Sequence, residues 1–417
     1  MATAPSVAAA QSRIAKLATL TPVHRAFHWL HLHQPQLRQW QMEMTAIPSP
    51  PFHEGARAAW FLERFKALGL SNVHRDDAGN ALAELPGASA APHGPCVLIS
   101  AHLDTVFPEG TECLPAEVEG RLLAPGICDN AAGLTGLLAL IAALRFAAIS
   151  PPVTILFAAN VGEEGEGDLR GMKYLFEQGG YRERIAAAIA LEGSGTSAVV
   201  TRALGSRRYR LTVTGPGGHS WSDAGVLNPI LMLGRALAVF HEVPLPHEPR
   251  TTLNIGMISG GTSINSIPES ATALLDLRST DPAQLLTIEA KLRGVCEEFA
   301  QRSPEGVGMT LDLIGNRPAA ALPDGSALLE TIRAVDRHLA IRTELRIGST
   351  DANLPLSLGV PAVAVGAGGS GGGIHTLQEW YDPRGREMAL RRVLLTMLDT
   401  AAIAAMERDD ETVRTLH

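Results

Sequence analysis

Cysteine is scarce in this chain, with four in 417 residues (Cys96, Cys113, Cys128 and Cys296) and no pair at C-x-x-C spacing. So few thiols cannot staple a chain of this length, which excludes a disulfide scaffold and points to reduced cysteines and a cytoplasmic setting. Cys128 reads as a small buried packing residue. Basic residues are not in excess. The net charge is −8 and the pI about 6.0, so there is no basic stripe for phosphates and nucleic acid is not an expected partner. No apolar run approaches the ~18 residues of a spanning helix, and no membrane insertion is expected. The N-terminus, Met1 to Ala10, has no basic residue before its short alanine-rich run, so a secretory signal is not expected either. Internal repeats and low-complexity tracts are also missing.

What is present is length enough for two cores and a regular alternation of elements. Residues 1–46 read as an N-terminal helical extension broken at Pro22 and Pro35. Ile47 to Pro51 forces an extended link, and a helix follows over 54–68 with Ala58, Phe61, Leu62, Phe65 and Leu68 on one stripe. The segments 96–100, 153–159, 187–191 and 362–365 are short and nearly all apolar, as strands buried on both faces of a parallel sheet are. Helices over 131–146 and 387–406 would cover that sheet. Between them, 206–317 reads strand, helix, strand, strand, helix, strand, the order of a ferredoxin-like split unit. The expected fold is therefore α/β: a catalytic domain with a mainly parallel sheet, in two parts (47–205 and 318–417), carrying an inserted α+β domain (206–317).

Ligand-type side chains fall at the carboxyl ends of these strands, where open parallel sheets bind their ligands. His102 and Asp104 follow the first strand, Glu163 and Glu164 the second, Glu192 the third, and His375 a glycine-rich loop after the last. Asp129 stands just before a helix start, where its two oxygens could bridge separate ions. So many carboxylates in one cleft would repel and take up protons, and two divalent ions remove that penalty. Alternation on extended chain puts His102 and Asp104 on one side, so Asp104 can accept the second imidazole N–H and act as orienter. The neighbouring glutamates point apart, one to bind metal and one to serve as general base; spacing does not say which. Two imidazoles with carboxylates suit Zn2+, with Co2+ or Mn2+ able to substitute.

With His102-Leu103-Asp104-Thr105-Val106, Gly126-Ile127-Cys128-Asp129-Asn130, Glu163-Glu164-Gly165, Gly215-Pro216-Gly217-Gly218-His219-Ser220, Asp276-Leu277-Arg278, Gly348 to Asn353 and Ile374-His375, the chain from Ile47 onward resembles the co-catalytic dizinc exopeptidase and deacylase family. That family includes glutamate carboxypeptidase, acetylornithine deacetylase, succinyl-diaminopimelate desuccinylase, aminoacylase and peptidase T. The resemblance implies that Glu163 is the general base and Asp129 the bridge, with Glu164 and His375 completing one metal and His102 and Glu192 the other. It implies that the inserted domain forms a homodimer, and that His219 polarises the scissile carbonyl, reaching the partner's site. Asn265 and Arg278 fall where the family holds substrate, and Arg317 resembles its other carboxylate-binding arginine. Asn130 departs from the aspartate that many relatives carry there, in a cis peptide.

A glutamate at position 192 accompanies carboxypeptidase and N-acyl-amino-acid deacylase activity in that family, so the expected substrate is a small peptide or N-acyl amino acid cleaved beside a free carboxylate. The loop 163–167 and the tail His375 to Trp380 also resemble peptidase T, which makes an aminopeptidase or tripeptidase the alternative. A non-catalytic metal-binding member is the alternative from another class. His24, His28 and His31 share a helical face, read as a partly buried packing face.

Overall fold

A computed structural model describes residues 7–88, 94–303 and 306–415, the last seven through their backbone alone. Residues 1–6, on which the readings of a signal-free N-terminus and of the extension's start partly rest, lie outside the described residues. The chain divides into two compact units, Ala203–Ala320 and the remainder.

The larger unit is built on a nine-stranded sheet among the described residues. Its centre is the four apolar segments picked out by composition: Thr154–Asn160, Cys96–His102, Ile185–Leu191 and Ala362–Val365 lie side by side and parallel. Short strands flank them: Ala81–Leu85 pairs antiparallel with Thr154–Asn160 and Ser71–Arg75 antiparallel with Ala81–Leu85, while Ala198–Ala203 pairs antiparallel with Ala362–Val365. These flanking strands are not marked in the sequence: Ser71–Arg75 is a half-exposed edge of mixed polar residues, and Ala81–Leu85, though buried, is only five residues long with a glutamate inside it. The helix Ala131–Ala147 is buried on nearly every side, as its Ala- and Leu-rich, charge-poor sequence requires. The last helix runs Arg386–Thr415, longer than the apolar pattern indicated, and Arg170–Glu177 and Ala327–His338 are further helices. No helix among the described residues is long and apolar enough to cross a membrane.

Pro22 and Pro35 sit in the first turns of Thr21–Leu32 and Gln34–Thr45, where a missing N–H costs nothing. The N-terminal helices lie on the larger unit: Val7–Ala18 packs against Ala327–His338, and Thr21–Leu32 against Ala131–Ala147. Arg13 forks onto Asp399, with both N···O distances 2.9 Å. The packing face of Thr21–Leu32 is Val23, Ala26, Trp29 and Leu30. His24, His28 and His31 are therefore on the exposed side, not the partly buried one expected. Apolar residues outcompete imidazoles for the core, and His31 instead meets Glu387 at 2.8 Å.

The smaller unit is an antiparallel sheet in the order Thr251–Gly260, Ser270–Ser279, Gly205–Thr214, Gly308–Arg317. Helices Pro229–Glu242 and Pro282–Arg302 complete its core with Tyr209, Leu211, Val213, Leu275 and Leu277. Asn228 and Asp281 cap these helices by accepting first-turn N–H groups. A two-stranded ribbon pairs Gly218–His219 with Ser266–Ile267.

Candidate metal centre

Five elements of the larger unit deliver the candidate ligands to one place. His102 ends its strand almost wholly buried, 1% exposed. Its Nδ1 lies 3.0 Å from the backbone carbonyl of Asp104 and 3.6 Å from that residue's carboxylate. A carbonyl can only accept, so Nδ1 carries the proton and Nε2 keeps its lone pair for the cleft. The expected orienting contact thus runs mainly through the Asp104 main chain. Its carboxylate, fully buried, instead accepts the backbone N–H groups of Glu163 at 2.9 Å and Glu164 at 2.7 Å.

Asp129 spans two imidazoles. Its Oδ1 lies 3.1 Å from His102 Nε2 and its Oδ2 3.1 Å from His375 Nε2. Glu192 Oε1 is 3.3 Å from His102 Nε2, and Glu164 Oε1 is 3.1 Å from His375 Nε2. Two triads result, His102 with Asp129 and Glu192, and His375 with Asp129 and Glu164; within each the ligand atoms lie within 4.8 Å of one another. Glu163 offers an oxygen to a third group with His102 and Glu164.

The electrostatics show what this cluster needs. Burial works against the charged form of His102, yet the nearby carboxylates of Glu192, Asp104 and Asp129 hold its pKa well above the usual imidazole value. Hydrogen bonds to Asp129 and Glu164 push His375 up to about 10. Burial raises Glu192 to about 7, whereas in Asp129 the penalty of burial is outweighed by both imidazoles and its pKa falls. The carboxylates demand positive charge, and in the absence of a cation only protons on the histidines can supply it. The orphaned Asp129 Oδ1 makes the same point, being buried and outside hydrogen-bond geometry with His102. A divalent cation on each triad fits this donor set.

Neighbouring residues hold the ligand loops. Gly126 has φ +75°, and a Cβ there would stand 2.7 Å from Thr105 Cγ2. The Asp129–Asn130 peptide is cis. The Asn130 amide donates to Leu191 O at 2.9 Å and accepts from Gly193 N at 3.0 Å and Gly133 N at 3.1 Å, so it joins the Asp129 loop to the segment bearing Glu192. The donor half of that bridge needs an amide; an ionised aspartate has none. Cys128, beside Asp129, packs among Leu122, Ile127, Ala132 and Tyr381, with burial pushing its thiol up to about 12. All four cysteines are buried and unbridged.

Two contributors escaped the sequence reading. Glu379, 1% exposed, accepts N–H groups of Gly126, Cys128 and Asp129. Buried Asp351 accepts the amide of Asn160 at 2.8 Å, at the end of the central strand before Glu163. They lie within the stretches Gly348 to Asn353 and His375 to Trp380, but a carboxylate read from sequence does not announce which donors it meets.

The remaining candidates are in the smaller unit. His219 is exposed on the ribbon, and its Nδ1 accepts N–H groups of Trp221 at 3.2 Å and Ser222 at 3.4 Å. In the neutral ring the proton therefore sits on Nε2, an outward donor. Ser220 N donates to Asn265 O at 3.0 Å, which brings Asn265 beside it. Arg278 and Arg317 both pair in register with Ser206, from opposite sides, and so share a sheet face. Arg278 also contacts Asp276 at 2.6 Å, and Arg317 is 5% exposed.

Residues 98–400 match the group described as Peptidase family M20/M25/M40. The chain is 26% identical over 357 residues to protein YqjE of Bacillus subtilis, covering 81% of this chain and 91% of that one. It is 28% identical over 294 residues to acetylornithine deacetylase of Myxococcus xanthus, covering 65% and 74%. The solved structure of aminopeptidase PepT from Bacillus cereus is similar in fold, with a TM-score of 0.70 at 23% identity over 88% of this chain and 99% of that one.

Proposed function

The chain belongs to peptidase family M20/M25/M40, a family of metal-dependent hydrolases, and on that premise we propose that it cleaves an amide bond in a small peptide or N-acyl amino acid, beside a free carboxylate. Two divalent ions, Zn2+ by preference and Co2+ or Mn2+ by substitution, would occupy the two triads. The observation that carries this reading is the sharing of Asp129, one oxygen toward each imidazole.

When bound, the ions supply an acidified water and a polarised carbonyl. Glu163 stands beside His102 and Glu164, one from each triad, and its carboxylate serves proton transfer. Glu163 removes a proton from the water as its oxygen attacks the carbonyl carbon. It returns that proton to the amine nitrogen as the C–N bond breaks, giving a carboxylic acid and an amine. Asp104 keeps Glu163 in place through its backbone N–H. His219 Nε2–H donates to the developing oxyanion, and Asn265, Arg278 and Arg317 hold the substrate's carboxylate, for which a guanidinium fork is suited. Glu192, by the family pattern, favours carboxypeptidase or deacylase action over the aminopeptidase alternative.

The smaller unit would form a homodimer. Its edge strand Thr251–Gly260 leaves Met257 66% and Ile258 63% exposed, and a long exposed edge with apolar side chains is a template for pairing with a second chain. The buried, unbridged cysteines support a cytoplasmic setting.

A panel of N-acyl amino acids and dipeptides, each with one end blocked, tests the reading on zinc-loaded protein. Cleavage that survives an N-terminal block and stops when the carboxylate is amidated is the expected result. The opposite pattern would establish an aminopeptidase, and no cleavage by a chain holding two ions would establish a non-catalytic member.

A further inference from the structure

Glu379 lies 250 residues from Asp129 in sequence, yet it is built into the floor of the metal centre. Its Oε1 accepts the N–H groups of Cys128 and Asp129, both at 2.8 Å, and its Oε2 accepts that of Gly126 at 3.0 Å. Three convergent donors on one buried carboxylate, with Asp129 among them, fix the backbone from which the shared ligand projects. The same segment carries His375 four residues earlier. A turn from Gly373 O to Thr376 N at 3.0 Å closes that segment on itself, and a bond from Ala124 N to Glu379 O at 3.2 Å ties it to the Asp129 loop. The strands on either side, Trp380–Asp382 and Arg121–Leu123, pair antiparallel. Glu379 therefore links, through a handful of bonds, the two loops that supply Asp129 and His375.

We propose that Glu379 is a positioning residue that presets the spacing of Asp129 and His375, so that the triad they form with Glu164 is ready for its cation before the cation arrives. This rests on the two-ion reading above. The other triad draws on Asp129 too, but its remaining ligands, His102 and Glu192, stand at the ends of central strands, and none of the three bonds to the Glu379 carboxylate reaches them. Loss of the Glu379 carboxylate should fall unequally on the two ions. An amide cannot replace it: glutamine would turn an NH2 toward at least one of three N–H groups.

The test is a zinc titration of the full chain in competition with a chromophoric chelator, on wild type, Glu379→Gln and Glu379→Asp, each checked for native circular dichroism. In Glu379→Gln one ion should bind roughly 10- to 100-fold more weakly, the range typical of outer partners of metal ligands, while the other stays within about threefold of wild type. Excess zinc should restore most of kcat. Glu379→Asp keeps the charge without the reach and should weaken the same ion; it also serves if the glutamine variant fails to fold. Two ions bound as in wild type, or both weakened alike, would overturn the proposal. Fewer than two ions on the wild-type chain would instead overturn the two-ion reading, a result visible before any variant is compared.

Discussion

The Asp104 carboxylate accepts the backbone N–H of Glu163 at 2.9 Å. A residue placed to turn an imidazole thus also clamps the chain that presents the proposed base, and a fully buried acceptor fixes that chain to within the tolerance of a hydrogen bond.

Glu163→Gln should leave zinc content at the wild-type level and lower kcat by roughly 10^2- to 10^4-fold, the usual contribution of a positioned general base. Metal analysis and steady-state kinetics on one preparation check it; loss of zinc in the variant would make Glu163 a ligand.

Metal removal should make stability depend on pH. In the metal-free chain His375 is raised from 6.5 to about 10 and Glu192 from 4.5 to about 7. Both folded values lie above the unfolded ones, so each contribution is complete below the unfolded value and is lost as pH rises through the folded one. The melting temperature of chelated protein should therefore fall from pH 4.5 to 7 through Glu192 and from 6.5 to 10 through His375. Zinc replaces those protons, so the gap between loaded and chelated protein should widen with pH, as thermal melts across that range will show. A constant gap would contradict the assignment.

His219→Ala should lower kcat by roughly 10^2- to 10^3-fold, as loss of an oxyanion donor does, with little change in KM. If His219 serves the partner's site, mixing inactive His219→Ala with inactive Glu163→Gln should restore part of the activity, because mixed dimers hold one intact site. No recovery from verified mixed dimers would place His219 in the site of its own subunit.

Met257→Lys with Ile258→Lys should convert a dimer to a monomer in light scattering, with far-UV circular dichroism unchanged. Both side chains are exposed, so the folded subunit loses no core, while paired edges would bring like charges together. Unchanged mass would move the interface elsewhere.

Much of this was legible before any coordinates. The four central strands stood out because burial on both faces demands an unbroken apolar run, and the split βαββαβ order of the smaller unit followed from alternating periodicities. The candidate ligands could be named because strand ends mark where a parallel sheet binds. Edge strands such as Ser71–Arg75 could not, since half-exposed backbone pairs without leaving a pattern in its side chains. The exposure of His24, His28 and His31 is not legible for a related reason: helical spacing shows which residues share a side and leaves open which side meets the core.

By itself the sequence determined the chemistry available and the order in which it is threaded: which residues can ligate, and that they follow buried strands. Only the tertiary structure decided how the acids divide their work, with Asp129 between two imidazoles, Asp104 on the Glu163–Glu164 backbone and Glu379 beneath Asp129. The reason is physical. A carboxylate's role depends on which groups its two oxygens meet, and those are imidazoles and backbone N–H groups tens to hundreds of residues away, brought close by the packing of the whole unit.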